Sequence, residues 1–146
     1  MVTSDIERVT VLGAGSMGHG IAEVAAIAGY DVVVRDIERD LVDEGLDSIE
    51  WSLGKLAEKG QIDEAAETVL DRVRGETDLE AAVSEADLVI EAIPEDMDRK
   101  KDTFADLDAY APADAILASN TSGLSITEIG SATDRPEQVV GTHFFN

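Results

Sequence analysis

The stretch that most restricts what this chain can fold into is Arg8 to Asp36, RVTVLGAGSMGHGIAEVAAIAGYDVVVRD. A short apolar run (Val9, Val11, Leu12) meets Gly13-Ala14-Gly15-Ser16-Met17-Gly18, an apolar segment of helical character follows to Gly29, and a second run (Val32, Val33, Val34) ends on Asp36. The order predicts strand, glycine turn, helix, strand. Each glycine of G-x-G-x-x-G has a mechanical reason: Gly13 for the tight turn, Gly15 for close approach of a pyrophosphate to the backbone, Gly18 for close packing of helix on strand. Phosphates are then expected on the free N–H groups at the helix's positive end. Asp36, 18 residues beyond Gly18, falls where a carboxylate accepts hydrogen bonds from an adenosine ribose. Arg35 is the rival feature, since an arginine here could embrace an extra phosphate. The competing reading of the whole stretch is a plain structural turn.

The rest of the chain extends the same pattern. Glu38 to Lys59 carries apolar residues at Leu41, Val42, Leu46, Ile49, Leu53 and Leu56, a three-and-four spacing that predicts a one-faced helix stopped by Gly60. Asp63 is placed to cap a second helix through Val73, so a helical hairpin is expected here. A short strand over 72–77 and a short helix over 79–85 follow. Asp87 to Ile93 reads as a buried strand ended by Pro94, and Glu95 and Asp96 open a helix to Tyr110 with Met97, Phe104 and Leu107 inward. Ala115 to Ala118 gives another strand, Ser125 caps a helix through Ile129, and 138–142 gives the last strand before His143-Phe144-Phe145-Asn146. Alternation of strands and helices predicts an α/β, doubly wound parallel sheet of Rossmann type, with the helical hairpin as an excursion after the second strand. Ligands of such sheets gather at the strands' C-terminal ends. Gly13 to Gly18, Asp36, Glu95, Ser119 to Ser122 and His143 all fall there.

Charge narrows the partners. The chain has 32 acidic and 11 basic residues, a net charge of −21, and only four of the cations are lysines. Such a surface repels nucleic acid and anionic membranes, so neither is expected as a partner. With the acid spread along the chain, it resembles the surface of a protein from a high-salt cytoplasm, where ions screen the self-repulsion. An ordinary acidic protein is the alternative. With 44% hydrophobic residues over 146 positions, one globular domain is expected rather than disorder. Without cysteine there are no disulfides or thiol ligands, and no metal site is expected. No signal peptide and no apolar run of about 20 residues is seen, so the cytoplasm is the expected location.

With GAGSMGHGIA, EAIPED, ASNTSGLSIT and GTHFFN in order, the sequence closely resembles the N-terminal domain of the 3-hydroxyacyl-CoA dehydrogenase family, which includes the 3-hydroxybutyryl-CoA dehydrogenases. The resemblance covers essentially the whole chain. Its specificity lies in the ordered set, because S-N-T-S followed about twenty residues later by H-F-F-N is far more restrictive than the glycine triplet. It implies NAD as cofactor and oxidation of the 3-hydroxyl of an acyl-CoA thioester, as in fatty-acid or hydroxybutyrate metabolism. It further implies His143 as catalytic base, Ser122 as a hydrogen-bonding partner of the reacting oxygen, Glu95 and Lys100 as contacts on the nicotinamide side, and Asn146 as a lining residue there. Ser52 and Lys59 resemble the positions that touch CoA.

The chemistry is independently sensible for His143, because imidazole titrates near working pH and can take the alcohol's proton as the carbonyl forms. Taken singly, the same residues have blander readings: a solvated strand-end histidine at 143, a loop hydroxyl at Ser122, a carboxylate on a helix dipole at Glu95. His19, on the first turn after the glycine loop, reads as structural or phosphate-adjacent. The family places an orienting glutamate downstream of its histidine, and a helical C-terminal domain that forms the dimer interface and the other wall of the cleft. The sequence given stops at Asn146, before both, so residues 1–146 are expected to be the cofactor domain of a longer enzyme, dimeric only with that second domain. A non-catalytic dinucleotide-binding module, an inactive fragment, and an S-adenosylmethionine methyltransferase are the alternatives.

Overall fold

A computed structural model describes residues 6–142. Strand β1 (Arg8–Leu12) leads through α1 (Ser16–Ile27) to β2 (Asp31–Arg35), then α2 (Arg39–Glu58) and α3 (Ala66–Leu70) to β3 (Val73–Glu76). Helix α4 (Leu79–Val83) returns to β4 (Leu88–Glu91), α5 (Met97–Tyr110) to β5 (Ile116–Ser119), and α6 (Ile126–Gly130) with a 3₁₀ turn (Pro136–Gln138) to β6 (Val139–Gly141). The strands form one sheet in the order β3-β2-β1-β4-β5-β6, with every pairing parallel. The order reverses between β1 and β4, which is where doubly wound sheets hold their ligands.

Helices cover both faces, which is why the inner strands are continuous apolar runs instead of alternating ones. Val9, Val11 and Val34 pack with Ile21, Ala22, Ile49, Leu53 and Val69 of α1 to α3 on one face. Leu12, Val89 and Leu117 pack with Val83, Phe104, Leu107 and Ile129 of α4 to α6 on the other. Thr10 is the polar exception in β1, and its buried hydroxyl donates to the Ala82 carbonyl at 2.6 Å.

Several boundaries differ from expectation. Asp63 does not cap a helix reaching Val73: α3 is one short turn beginning after Ala65, with no side-chain cap. The reason is the sheet edge, which claims the following residues. The Arg72 carbonyl accepts from the Val32 N–H at 2.8 Å, and its guanidinium pairs with Glu64 and donates to the Ala26 carbonyl. The hairpin excursion is therefore one long helix and one turn. Strand β4 is shorter than 87–93: it begins after Asp87, whose carboxylate accepts from the Glu7 and Arg8 N–H groups, and it ends where the Ile93 N–H bonds the Glu91 side chain instead of the ladder. Helix α5 starts at Met97 with Asp96 as its N-cap, so Glu95 lies outside it; Met97 itself is only half-buried. Strand β5 runs to Ser119, one residue beyond the expected end.

Candidate functional site

The glycine loop sits on the switch point. Gly13 has φ +104°, and a Cβ there would lie 2.7 Å from the Ala92 carbonyl oxygen, so the turn requires glycine both for its backbone and for its contact with the end of β4. Gly18 is needed for a different reason. A Cβ on it would come within 1.7 Å of the Gly13 carbonyl oxygen, so this position fixes how closely α1 approaches the loop. A Cβ on Gly15 would meet nothing within 4 Å. The loop is thus closed on its protein side at Gly13 and Gly18, and open at Gly15. Ser16 is exposed, Met17 is half-buried and Ala14 is buried; α1 has no side-chain N-cap and no acidic residue in its first turn, leaving that positive end unneutralised.

Asp36 ties the loop to β2. Its carboxylate accepts from the Ala14 N–H at 2.9 Å and the Ile37 N–H at 2.7 Å. A carboxylate has about four acceptor positions, so two remain for hydroxyl groups. Arg35, the rival for a phosphate, donates its Nε–H to the Thr77 carbonyl at 2.9 Å and is turned toward the end of β3. An open glycine loop at an uncapped helix start, beside a half-buried carboxylate with acceptor capacity left, fits the pyrophosphate and ribose of a dinucleotide.

The far side of the switch point carries a polar chain. Glu91, at the end of β4, is fully buried; its Oε2 accepts from the Lys100 ammonium at 2.5 Å and the Ile93 N–H at 2.7 Å, and its Oε1 accepts from the Ser119 hydroxyl at 2.5 Å. Lys100, also without exposed surface, donates further to the Ile93 carbonyl at 3.1 Å and pairs with Glu95 at 3.3 Å. Glu95 in turn accepts from the Thr121 hydroxyl at 2.7 Å, and Thr121 Oγ1 accepts from the Leu124 N–H. Partial burial pushes the Glu95 carboxyl up, but the Thr121 and Lys100 hydrogen bonds, the Lys100 charge and the Gly123 N–H together hold it below the usual range. Removing one member of such a buried pair strands a charge, at a typical cost of about 3–5 kcal/mol.

Of the expected site residues, the glycine loop and Asp36 come together on one side of the switch point. Glu95 and Lys100 come together on the other, next to the loop bearing exposed Ser122. Lys100 lies behind Glu95 with its ammonium enclosed, a placement that the sequence did not reveal. Ser52 lines an open groove between α1 and α2 with His19, Asp47, Ser48 and Trp51. Lys59 follows the end of α2, exposed, and is not among the residues lining that groove. His19 Nδ1 is 2.8 Å from the Gly15 carbonyl, in keeping with a structural role. Thr142, the last described residue, donates its N–H to the Ser119 carbonyl at 2.9 Å; His143 and Asn146 lie outside the described residues. Sequence places Ser119 at the head of the 119–122 loop but does not pair it with Glu91, although a glutamate inside D-L-V-I-E-A-I is a signal, because a carboxylate ending a buried strand needs a donor set. Among the described residues no group of three His, Asp or Glu is placed to hold a metal ion, and no helix is long and apolar enough to cross a membrane.

A parallel sheet with this loop, acid and strand-end chain defines a dinucleotide-binding domain. The profile of the family described as 3-hydroxyacyl-CoA dehydrogenase, NAD binding domain, matches residues 8–146, and the chain belongs to that family. It is 49% identical over 136 residues to a probable 3-hydroxybutyryl-CoA dehydrogenase of Deinococcus radiodurans, covering 93% of this chain and 49% of the relative. It is 42% identical over 147 residues to the mitochondrial hydroxyacyl-coenzyme A dehydrogenase of Homo sapiens, covering 97% of this chain and 47% of that protein. The crystal structure of (S)-3-hydroxybutyryl-CoA dehydrogenase from Ralstonia eutropha superposes with a TM-score of 0.90 at 37% identity, covering 97% of this chain and 50% of that one. The chain spans about half the length of the curated relatives it matches, the half that binds NAD.

Proposed function

We propose that this domain supplies the cofactor site and the catalytic histidine of an NAD-dependent 3-hydroxyacyl-CoA dehydrogenase, oxidising the 3-hydroxyl of the thioester to a ketone. The observation that carries the reading is the meeting, across one switch point, of the glycine loop with Asp36 and of Glu95 with the Ser119–Ser122 loop. Thr142, which immediately precedes His143, is hydrogen-bonded to Ser119 at the head of that loop.

NAD, when bound, would supply the acceptor for the hydride leaving the substrate's C3. The first-turn N–H groups of α1 would hold its pyrophosphate and Asp36 would accept from its adenosine ribose, while Glu95 and Asn146 would face the nicotinamide, with buried Lys100 holding Glu95 from behind. His143 takes the hydroxyl proton as the hydride leaves, so the carbonyl forms without an alkoxide being released, and in reverse its imidazolium returns that proton. The Ser122 hydroxyl donates to the same oxygen as its charge grows. Ser52 and Lys59 offer a hydroxyl and a cation to the CoA portion. A C-terminal helical domain completes the acyl-CoA cleft and the homodimer, and the working compartment is a salt-rich cytoplasm.

The test is acetoacetyl-CoA-dependent NADH consumption by residues 1–146 alone and by the same residues fused to the remaining half of the Deinococcus relative. The fusion should turn over and the domain alone should do so at least about a hundredfold more slowly, because the second domain is proposed to supply the other wall that orients the acyl-CoA. NADH binding with no turnover by the fusion would instead favour a non-catalytic dinucleotide module.

A further inference from the structure

Glu91 touches neither surface nor cleft, yet its two oxygens accept three hydrogen bonds on the nicotinamide side of the switch point. We infer that Glu91 is the positioning residue of that side: by neutralising Lys100 and anchoring Ser119, it leaves Glu95 and the Ser119–Ser122 loop held at the cleft mouth. The inference rests on the proposed function, which places Glu95 toward the nicotinamide.

Two carboxylates compete for Lys100. The Lys100 ammonium has three hydrogens and they meet three acceptors: Glu91 at 2.5 Å, the Ile93 carbonyl at 3.1 Å and Glu95 at 3.3 Å. The shorter contact belongs to the buried carboxylate and the longer one to Glu95, whose side chain is 45% exposed. With a full negative charge at Glu91, Lys100 needs only part of Glu95, and the second Glu95 oxygen stays on Thr121. Take that charge away and the buried ammonium has a single anion left to satisfy it, so Glu95 is drawn inward, off Thr121 and away from the cleft. The other Glu91 oxygen works in parallel, because the Ser119 hydroxyl bonded to it fixes the residue from which the Asn120-Thr121-Ser122 loop departs. Asn120 is also tied to this end of β4, donating its N–H to the Glu91 carbonyl at 2.8 Å. One side chain therefore sets the places of a cofactor contact on α5's approach and of a substrate contact on β5's exit. The adenosine half is independent of it, being held from Gly13 to Asp36 on the opposite side of the switch point.

The measurement compares Glu91→Gln with the unaltered chain, titrating ADP-ribose by calorimetry and NADH by the fluorescence of its nicotinamide. Glutamine has the same shape: its amide oxygen can accept from Ile93 and Lys100 while its NH2 donates to the Ser119 hydroxyl oxygen, so the change removes charge and reverses one bond without altering packing. ADP-ribose affinity should hold within about twofold while NADH weakens by about tenfold or more, the usual worth of one charge-assisted hydrogen bond, with a changed emission of the bound nicotinamide. A second change, Lys100→Met added to Glu91→Gln, should recover the melting midpoint lost to the stranded cation without restoring NADH affinity. If Glu91→Gln does not fold, Ser119→Ala, which leaves the ion pair intact, should weaken NADH severalfold and spare ADP-ribose. Equal loss of both ligands, unchanged NADH affinity, or recovery of NADH binding together with stability in the double variant would overturn the inference. Failure of the proposed function shows separately, as an unaltered chain that binds neither ligand.

Discussion

Substituting Gly15 and Gly18 by alanine, one at a time, separates what the glycine loop does for the fold from what it does for the cofactor. Gly15 has φ −71° and ψ −165°, which alanine adopts freely, and its added Cβ meets no protein atom within 4 Å. Gly15→Ala is thus expected to leave stability within about 0.5 kcal/mol of the parent, as for surface changes that touch nothing. The same Cβ enters the open side of the loop, where pyrophosphate oxygens must come within hydrogen-bonding distance of backbone N–H groups. Displacing the phosphate from one such charge-assisted bond forfeits about 1.5–3 kcal/mol, or roughly a 10- to 150-fold loss of NAD affinity. Gly18→Ala does the reverse. A Cβ placed 1.7 Å from the Gly13 carbonyl oxygen must push α1 off the loop by more than an ångström, an overpacking of at least about 1–3 kcal/mol. Thermal melts of both variants, with calorimetric NAD titrations, read the two effects. A Gly15→Ala chain with undiminished NAD affinity would refute the assignment of the open face to the pyrophosphate, however well it folded.

Replacing Asp36 by asparagine should narrow discrimination against NADP. The carboxylate and a 2′-phosphate about 4 Å apart repel by roughly 1 kcal/mol in water and about 4 at an effective dielectric of 20, so the unaltered chain should prefer NAD by about fivefold or more in parallel titrations. Arg135→Ala should lower stability by about 2–4 kcal/mol in a denaturant melt, because Arg135 bonds the Asp108 carboxylate and the carbonyls of Asp108, Ala111 and Pro112 at the end of α5. The Asp134 N–H and the Arg135 guanidinium hold the Asp108 carboxyl below the usual range, so its contribution is complete above the ordinary aspartate pKa of about 3.9 and is lost as pH falls through the lower folded value. An acid titration of Arg135→Ala should show that part of the slope gone. Potassium chloride should raise the melting midpoint, since repulsion among 32 carboxylates reaches about 10 Å at 0.1 M salt and about 3 Å at 1 M.

What could be read from the sequence was what is local. The glycine loop and the Ser125 cap, whose hydroxyl accepts from the Glu128 N–H at 3.2 Å, each depend on residues a few positions apart, and Asp36 is separated from its loop by only one helix and one strand. The alternation of apolar runs and helices was enough for the sheet, because each inner strand is buried on both faces. The misplaced features depend on distant partners. Residues 63–73 carry helical signals, but the edge of the sheet and the Arg72–Glu64 pair, neither visible in the local pattern, stop the helix after one turn. Lys100 sits in a polar stretch, M-D-R-K-K-D, that reads as solvated, and only the arrival of Glu91 and Glu95 from outside the helix makes its full burial affordable. Gly45 gave no signal either, yet a Cβ there would press on Ala14 at 2.8 Å, so α2 packs directly against the cofactor loop.

Chemistry and cofactor binding are proposed to be carried by separate parts of the domain, with His143 as the base. This division is tested most directly by His143→Ala in the fusion protein, measuring kcat for acetoacetyl-CoA reduction and the NADH dissociation constant on the same sample. The expected result is a fall in kcat of about a hundred- to ten-thousandfold, with NADH affinity unchanged within a few-fold. An unchanged kcat, or a rate lost only in proportion to lost NADH binding, would contradict it.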